Sequence, residues 1–212
     1  ALFRAEGPIA PERLAGISGT ECARIFGQEA AGAAIEELMG LFARAWNDLG
    51  RDLVAHCRGS FTRLVDAAEG SAAKLLQELS RQPLFRDVAN YGGVPVPFYK
   101  RAQILASDLA LALDGASWGS FRDLHRLTIF ADNVVPHVLR LDGILAYDET
   151  LAGRIGRGEL LGAGSEEEVE IRACSLDAAE RIVAQLRADG LRVAAREVDF
   201  LLWNRGRAAR PR

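Results

Sequence analysis

The chain has 212 residues, a net charge of −3 at pH 7 and 49% hydrophobic residues, a composition that supplies a core and excludes global disorder. The acidic balance argues against a nucleic-acid polymer as a bulk electrostatic partner, although a local basic pocket stays open. Charges interrupt the apolar runs well before the roughly 20 residues that a membrane-spanning helix needs, which excludes a transmembrane span.

The first part of the chain is predicted to be irregular and then helical. Residues 1–19 hold prolines and glycines and predict an irregular lead-in. A helical region begins at Thr20, and Gly50 is interpreted as its end or as a kink. Ser71 is a good N-cap for a further helix, which Pro83 ends. Apolar residues at three- and four-residue steps predict the buried face of the long helical region: Ile35, Leu38, Met39, Phe42, Trp46 and Leu49.

The middle of the chain is predicted to be a loop followed by two helices. Residues 83–97 contain three prolines and a Gly-Gly pair, which indicate a loop. Pro97 is placed where a helix can begin, because the N–H that proline lacks has no partner in a first turn. This helix is predicted to reach Asp114. Ser120 and the acid three residues on resemble a capping box and predict a helix that ends near Phe130.

The last third is also predicted to be helical. Pro136 suggests one helix start, Asp148 another, and Ser165 with Glu168 forms a second candidate capping box. Ser175 is predicted to cap the helix that follows. Gly190 closes that helix, after which a short strand at 191–193 stays open, residues 195–205 suit a final helix, and 207–212 predict a frayed basic tail.

Strand-like alternation is scarce along the whole chain. The predicted fold class is therefore all-α. The predicted organisation is a single globular helical domain over residues 20–206, between the lead-in and the tail.

The cysteines and histidines are scattered in a way that argues against a metal centre. Three cysteines form an odd, widely spaced set, and the histidines lack zinc-ligand spacing: Cys22, Cys57, Cys174, His56, His125 and His137. We therefore expect no metal, reduced thiols and a cytoplasmic protein. The first residues also lack the long apolar segment of a signal peptide.

Two acids stand in settings that suit chemistry. Asp199, in VDFLLW, is flanked by large apolar residues, and an acid with apolar walls suits glycosidic cleavage. The alternative is that Asp199 only caps the last helix. Asp132 precedes a Pro step and is interpreted either as turn chemistry or as a carboxylate that binds a purine-like edge or a ribose hydroxyl.

Lys100 and Arg101 form a candidate anion site. The chain contains only two lysines, and Lys100 lies with Arg101 in a predicted first helical turn after a Gly/Pro-rich loop. Cations are unfavourable for a helix at that end, so their presence suggests a partner such as a phosphate or a buried acid. The alternative is that one or both face solvent.

Three further residues are weaker binding candidates. His137 suits a phosphate or sugar hydroxyl, and Phe130 and Trp203 suit stacking on a flat base, although structural roles are more typical of such residues. Arg172 and Glu168, at four-residue spacing, are interpreted as a pair with each other.

Four motifs resemble those of the queuosine salvage family, in its order and approximate spacing. They are FYKRAQIL, LTIFAD with a following Val-Pro step, GSEEEVEIRA and VDFLLW, within a match from about residue 60 to 206. The resemblance implies a fold similar to helix-hairpin-helix DNA glycosylases. It also implies N-glycosidic hydrolysis of queuosine 5′-monophosphate to queuine and ribose 5-phosphate, without a metal or redox cofactor.

The resemblance also assigns site residues. The family's catalytic acid falls on Asp199, the lysine of FYKRAQ on Lys100 and the acid of FAD on Asp132. The chain departs from the family pattern at Asn204, where an acid is usual, and at the Asn-Val pair after FAD, where an aromatic and a basic residue are common. These departures concern substrate contacts and supporting residues rather than Asp199.

The implied substrate constrains the roles of these residues. A 7-deazaguanine has no N7 to protonate, so departure of the base must be helped elsewhere on the ring. Asp132 is expected at the guanine edge and Asp199 on the ribose side, as nucleophile or as base for water. Lys100 or Arg101 is expected to hold the 5′-phosphate or to set the pKa of an acid.

Two other functions stay open. A DNA or RNA base glycosylase fits the order of elements but not the acidic balance, and a non-catalytic module would bind a nucleoside monophosphate without turnover. The expected partner is a small nucleotide, and neither a nucleic-acid polymer nor a membrane is expected to bind. The sequence does not indicate the oligomeric state. A start that is short beside eukaryotic relatives indicates a bacterial member.

Overall fold

A computed structural model describes residues 7–29 and 32–208, which are mostly helical, so the all-α prediction is confirmed. The chain divides into two compact units, Ala1–Arg86 and Asp87–Arg212. The single domain over 20–206 and the likeness to helix-hairpin-helix glycosylases stay predictions. What was predicted for 1–6 and 209–212 lies outside the described residues.

The described part of the first unit contains five helices. α2 begins one residue before the predicted Thr20, with Ser18 as its N-cap, and ends at Gly27, whose φ is 65°. Ser71 caps α5 as predicted, since its hydroxyl accepts a hydrogen bond from the N–H of Lys74 at 3.3 Å. A short helix, α1, interrupts the predicted lead-in. The bounds are α1 Pro11–Leu14, α2 Gly19–Phe26, α3 Ala33–Cys57, α4 Phe61–Asp66 and α5 Ala72–Leu79.

Gly50 does not end the long helix, so that alternative of the prediction was wrong. α3 runs unbroken through it, and a Cβ at Gly50 would lie 2.4 Å from the Ala15 N and 2.5 Å from the Pro11 carbonyl oxygen. The glycine therefore allows a second backbone to approach closely. The predicted buried face was right at Met39 but wrong at Leu38 and Phe42, which are exposed, because smaller residues fill the contact: Ala43, Gly50 and Cys57.

The predicted loop at 83–97 contains a β-hairpin, which is the first correction in the second unit. β1 (Val88–Tyr91) pairs antiparallel with β2 (Val94–Pro97) around Gly92 and Gly93, both with positive φ. Two such residues in a two-residue connection make a tight hairpin turn. Pro97 ends β2 instead of opening a helix; the helix α6 (Lys100–Ala112) begins three residues later.

The helix predicted from Ser120 to Phe130 is wrong. One 3-10 turn, Ser117–Gly119, precedes the segment. The segment itself contains a single 3-10 turn, Leu124–Arg126, and then runs without helix to Asn133. The buried side chain of Gln103 accepts a hydrogen bond from the Thr128 N–H at 2.9 Å. Tertiary bonds of this kind replace helical ones, so local capping residues misled the prediction.

The predicted start at Pro136 and cap at Asp148 are close to the observed helices. α7 (Val134–Leu141) has Pro136 in its first turn, and α8 (Glu149–Gly156) has Asp148 as its N-cap. The N-cap of the predicted capping box is confirmed, because Ser165 accepts from the Glu168 N–H at 3.3 Å. The Glu168 carboxylate, however, accepts from the Gly164 N–H at 3.2 Å instead of that of Ser165, so the box is not reciprocal.

Ser175 does not begin a helix. α9 (Glu166–Ala188) is continuous through this fully buried serine, whose hydroxyl donates to the Ile171 carbonyl at 2.6 Å. Residues 191–193 form no strand, and the last helix is α10 (Ala195–Ala208). The main core of this unit joins α7, α9 and α10 through Ile129, Val135, Leu139, Val183, Val198 and Leu202.

Candidate active site

Asp132 lies at the end of the extended segment that precedes α7, and its two carboxylate oxygens have different partners. Oδ1 accepts hydrogen bonds from the N–H groups of Val134 at 2.7 Å and Val135 at 3.0 Å. Oδ2 lies 3.8 Å from Nζ of Lys100. Asp132 thus bonds the backbone locally, as the turn interpretation predicted, and also forms an ion pair with Lys100 of α6.

Asp199 projects from α10 into the same region. It is buried, with 6% of its surface exposed, and Oδ1 accepts a hydrogen bond from the Phe130 N–H at 2.7 Å. Since α10 begins at Ala195, the interpretation of Asp199 as a helix cap was wrong. Its helix, with Val198 and Leu202 facing the core, places the carboxyl at this depth.

The environment of Asp199 favours its protonated form. Burial is the largest influence and raises the pKa from 3.8 to about 6, while the Phe130 N–H opposes this rise. The negative charge of Asp132 raises the pKa further and the positive charge of Lys100 lowers it. A carboxyl with a pKa of about 6 changes ionisation close to neutral pH, as acid–base chemistry requires.

Lys100 is held at the start of α6 by the backbone before it. Its N–H donates to Oδ2 of Asp87 at 3.0 Å, and its side chain is 32% exposed. The preceding residue, Tyr99, has a left-handed backbone with φ of 48°. Such a conformation is strained for tyrosine and persists only where the surroundings enforce it.

The structure therefore brings together three of the predicted site residues, Asp199, Asp132 and Lys100. Phe130 joins them through its backbone N–H, a role that its aromatic ring did not signal. Arg101 is exposed in the first turn of α6, and its charge reaches Asp87.

The other predicted residues are placed less centrally. His137 is exposed on α7 and is not among the groups that shift the pKa of Asp199. Trp203 is half-buried against the core of the second unit, and the Arg207 guanidinium lies 4.9 Å from its ring centroid. Core packing and a cation–π contact therefore account for Trp203 without a ligand.

One neighbour of the candidate site was missed from the sequence, Asp87. Asp87 was assigned to a loop, yet its carboxylate bonds both the start of α6 and the guanidinium of Arg172. Burial alone would raise the pKa of Asp87, but the Arg172 and Lys100 hydrogen bonds lower it below its usual value. Its one sequence signal was an acid before a β-branched residue and a Gly-Gly turn, a common pattern.

The predicted pairing of Arg172 with Glu168 is present, but Arg172 has further partners that were not predicted. Nη1 lies 3.3 Å from the Glu168 carboxylate, but Arg172 also contacts Asp87, and its guanidinium lies 3.9 Å from the ring centroid of Phe98. These partners are far away in sequence, so helical spacing revealed only the local one.

Other surface features lie apart from the two acids and the lysine of the candidate site. Two open grooves, of about 750 and 580 Å³, are lined by residues other than Asp199, Asp132 and Lys100. Within 7–29 and 32–208, no cluster of three or more His, Cys, Asp or Glu side chains has the arrangement of a metal site. No helix in those ranges combines the length and apolar character needed to cross a membrane.

Comparison with known proteins points to one family. The family model described as "Queuosine salvage protein" matches residues 3–212. A protein of Sphaerobacter thermophilus is 43% identical over 194 residues, which cover 91% of this chain and 59% of that protein. A protein of Mus musculus is 36% identical over 175 residues, covering 79% and 52%. Both are named queuosine 5′-phosphate N-glycosylase/hydrolase, and this chain spans little more than half the length of either.

Proposed function

The chain belongs to the queuosine salvage protein family, and from that membership we propose that it hydrolyses the N-glycosidic bond of queuosine 5′-monophosphate, releasing queuine and ribose 5-phosphate. One observation carries the proposal. A buried carboxyl with a pKa of about 6, Asp199, lies beside the Asp132–Lys100 ion pair, in the motifs that the family resemblance singles out. The pair and the carboxyl together supply the two carboxyl groups that glycosidic cleavage uses, and a cation that compensates the charge of one of them.

Asp199 acts on the ribose side in this proposal. Above pH 6 it is ionised, so it stabilises the positive charge that develops at C1′ as the C1′–N9 bond breaks. It also accepts the proton of the attacking water, whose oxygen forms the new bond to C1′. The base leaves with the electron pair of the broken bond and takes up a proton from solvent. Asp199 returns the proton of water to solvent, so the reaction balances.

Asp132 acts on the base side. Its Oδ1 is engaged by two backbone N–H groups, whereas Oδ2 faces Lys100, so it presents a fixed carboxylate to the N–H donors of a guanine-like edge. Lys100 compensates its charge. We assign the 5′-phosphate to Arg101, which is exposed in the first turn of α6, where the helix dipole favours anions.

The direct test is product formation. Purified protein is incubated with queuosine 5′-monophosphate, queuosine and ordinary nucleotides, and free base is measured by mass spectrometry. We expect queuine from the monophosphate and none from Asp199→Asn protein. Wild-type rates in that variant would overturn the role of Asp199, and thermal stabilisation by the nucleotide without product would identify a binding module instead.

The cellular setting belongs to the same proposal. Cys22 and Cys57 are buried free thiols and Cys174 is an exposed one, which supports a reducing, cytoplasmic compartment. The partner proposed is a small nucleotide and not a nucleic-acid polymer, and no cofactor is invoked. A bacterial origin stays a prediction.

A further inference from the structure

Arg172 on α9 holds together two backbone segments that end in the site. Its Nη atoms lie 3.0 Å and 2.5 Å from Oδ1 and Oδ2 of Asp87, and its Nε donates to the Ala131 carbonyl at 3.2 Å. The side chain is only 12% exposed. A bidentate arginine–carboxylate pair with this burial is rigid, because both the fork and the carboxylate are planar and little water competes.

Two partners of Arg172, Asp87 and Ala131, are each directly joined to one member of the Lys100–Asp132 ion pair. Asp87 accepts from the Lys100 N–H at 3.0 Å, and its carbonyl accepts from the Tyr99 N–H at 3.0 Å. Ala131 immediately precedes Asp132. One guanidinium therefore fixes the backbone on both sides of the 3.8 Å gap between Nζ and the carboxylate.

Apolar side chains pack around the contact of Arg172 with the backbone at Ala131. Phe98, Ala131 and Val169 form a buried cluster, and the Arg172 guanidinium lies over the Phe98 ring. Lysine cannot reproduce this arrangement, since an ammonium lacks the planar fork that bonds two carboxylate oxygens, a carbonyl and a ring face together.

We propose that Arg172 is a positioning residue of the active site, which sets the distance between Lys100 and Asp132 by bonding Asp87 and the Ala131 carbonyl. This inference rests on the proposed hydrolysis for its kinetic consequence but not for its geometric one. Small displacements of catalytic groups are costly, and about 1 Å of misplacement lowers a rate by as much as about 100-fold.

The kinetic test compares Arg172→Ala with Arg181→Ala, a matched control on the same helix. Arg181 pairs with Asp177 at the surface and is 80% exposed, so its loss is expected to change kcat by less than about twofold. Arg172→Ala is expected to lower kcat by about 10- to 100-fold. Low millimolar guanidinium, which fits the space left between Asp87 and the Phe98 ring, is expected to restore part of the rate.

A merely structural arginine would not give that rescue. Wild-type kcat in folded Arg172→Ala protein, or a reduced kcat that guanidinium leaves unchanged, would overturn the proposal. If Arg172→Ala does not fold, Arg172→Lys replaces it, and a rate equal to that of Arg181→Lys would count equally against the proposal.

A second readout needs no substrate. Because the chain has only two lysines, isotope-labelled lysine side chains give two NMR signals, which a Lys74→Arg variant assigns. We expect the Lys100 signal to move in Arg172→Ala while the Lys74 signal does not, and an unmoved Lys100 signal would refute the positioning role. If wild-type protein releases no queuine, the proposed function fails while this measurement still decides the role of Arg172.

Discussion

At the scale of single residues, Asp199 combines a chemical advantage with a cost to stability. Its carboxyl is buried among α10 and the segment before α7, and its pKa rises to about 6 because the charged form is poorly solvated there. Between pH 3.8 and about 6, the folded protein holds a proton that the unfolded chain releases. The free energy of unfolding therefore falls as pH rises through this window, and the cost is complete above it.

Asp199→Asn is expected to stabilise the protein while abolishing turnover. The amide keeps an acceptor for the Phe130 N–H but carries no charge, so the free energy of unfolding rises by up to about 3 kcal/mol at pH 7.5. The gain vanishes below about pH 4, where the wild-type carboxyl is protonated in both states. Denaturant unfolding at the two pH values measures it. A variant that is equally or less stable than wild type at pH 7.5 would contradict the burial of an ionised acid.

Asp132 and Lys100 are expected to shift the pH dependence of the site in opposite directions. The acid limb of kcat/KM should have its midpoint near 6 in wild type, where Asp199 ionises. Asp132→Asn removes a negative charge and lowers this midpoint by about 0.5 to 1 pH unit, whereas Lys100→Met removes a positive charge and raises it.

The matched control for these variants is Asp148→Asn. Asp148 also accepts two backbone N–H bonds at a helix start, but it caps α8 and is not among the groups that shift the pKa of Asp199. Where a variant turns over too slowly, carboxyl NMR of Asp199 reads the same midpoint. Midpoints that move together in Asp132→Asn and Lys100→Met would disprove the electrostatic account.

At the scale of elements, close packing of α10 on α7 sets where Asp199 lies. A Cβ at Gly206 would lie 2.4 Å from Cγ1 of Val134 and 2.9 Å from Cγ2 of Val138. Valine side chains are stiff, so the helices themselves would have to separate. Val134 also donates its N–H to Asp132, so the same displacement reaches both acids.

Gly206→Ala is expected to lower the free energy of unfolding by about 1 to 3 kcal/mol through overpacking. It should also lower kcat about tenfold or more, since both acids move. Gly156→Ala, on α8, meets open space and is expected to leave activity unchanged and stability within about 1 kcal/mol. Thermal unfolding and queuine release on the pair test this. Equal behaviour of the two variants would show that the close approach is unimportant.

The sequence predicted elements well wherever local chemistry decided them and failed where tertiary contacts did. Side-chain caps at Ser71, Asp148 and Ser165 were legible because each bonds a backbone N–H within three residues. The segment after Ser120 carried the same residue types, but Gln103 holds its backbone from another helix. Gly50 was interpreted from its local effect on a helix. Its actual role is to allow the backbone at α1 to approach closely, which is a tertiary contact that the local sequence does not show.

The candidate site followed the same rule. Asp199, Asp132 and Lys100 could be proposed from sequence motifs, because the residues next to each of them in the chain are unusual, as are their contacts in the structure. Asp87 was missed because its partners, Lys100 and Arg172, lie 13 and 85 residues away. The hairpin was missed because the prolines of β2 argue against a strand, although the Gly-Gly turn on its own predicts a hairpin.

At the scale of the whole molecule, charge separates the proposed mononucleotide substrate from a polymer. The chain has 26 basic and 29 acidic residues, and the cations nearest the acids are engaged by carboxylates: Lys100 by Asp132, and Arg172 by Asp87 and Glu168. Proteins that bind a duplex release several counterions, and the logarithm of their affinity falls with that of salt concentration at a slope of about −0.9 per phosphate contacted.

We therefore expect weak binding to RNA or DNA duplexes and a shallow salt dependence for queuosine 5′-monophosphate, whose single phosphate should contribute a slope no steeper than about −1. Arg101→Ala should weaken mononucleotide binding by about 1.5 to 3 kcal/mol and flatten even that slope, because a charge-assisted bond to the phosphate is lost. Arg126→Ala, on a 3-10 turn, is the exposed-arginine control. Calorimetric titration at several salt concentrations gives both quantities. If the logarithm of duplex affinity falls with that of salt concentration at a slope that corresponds to several phosphate contacts, a base glycosylase acting on polymers would be favoured. A protein that contacts a single phosphate cannot give so steep a slope.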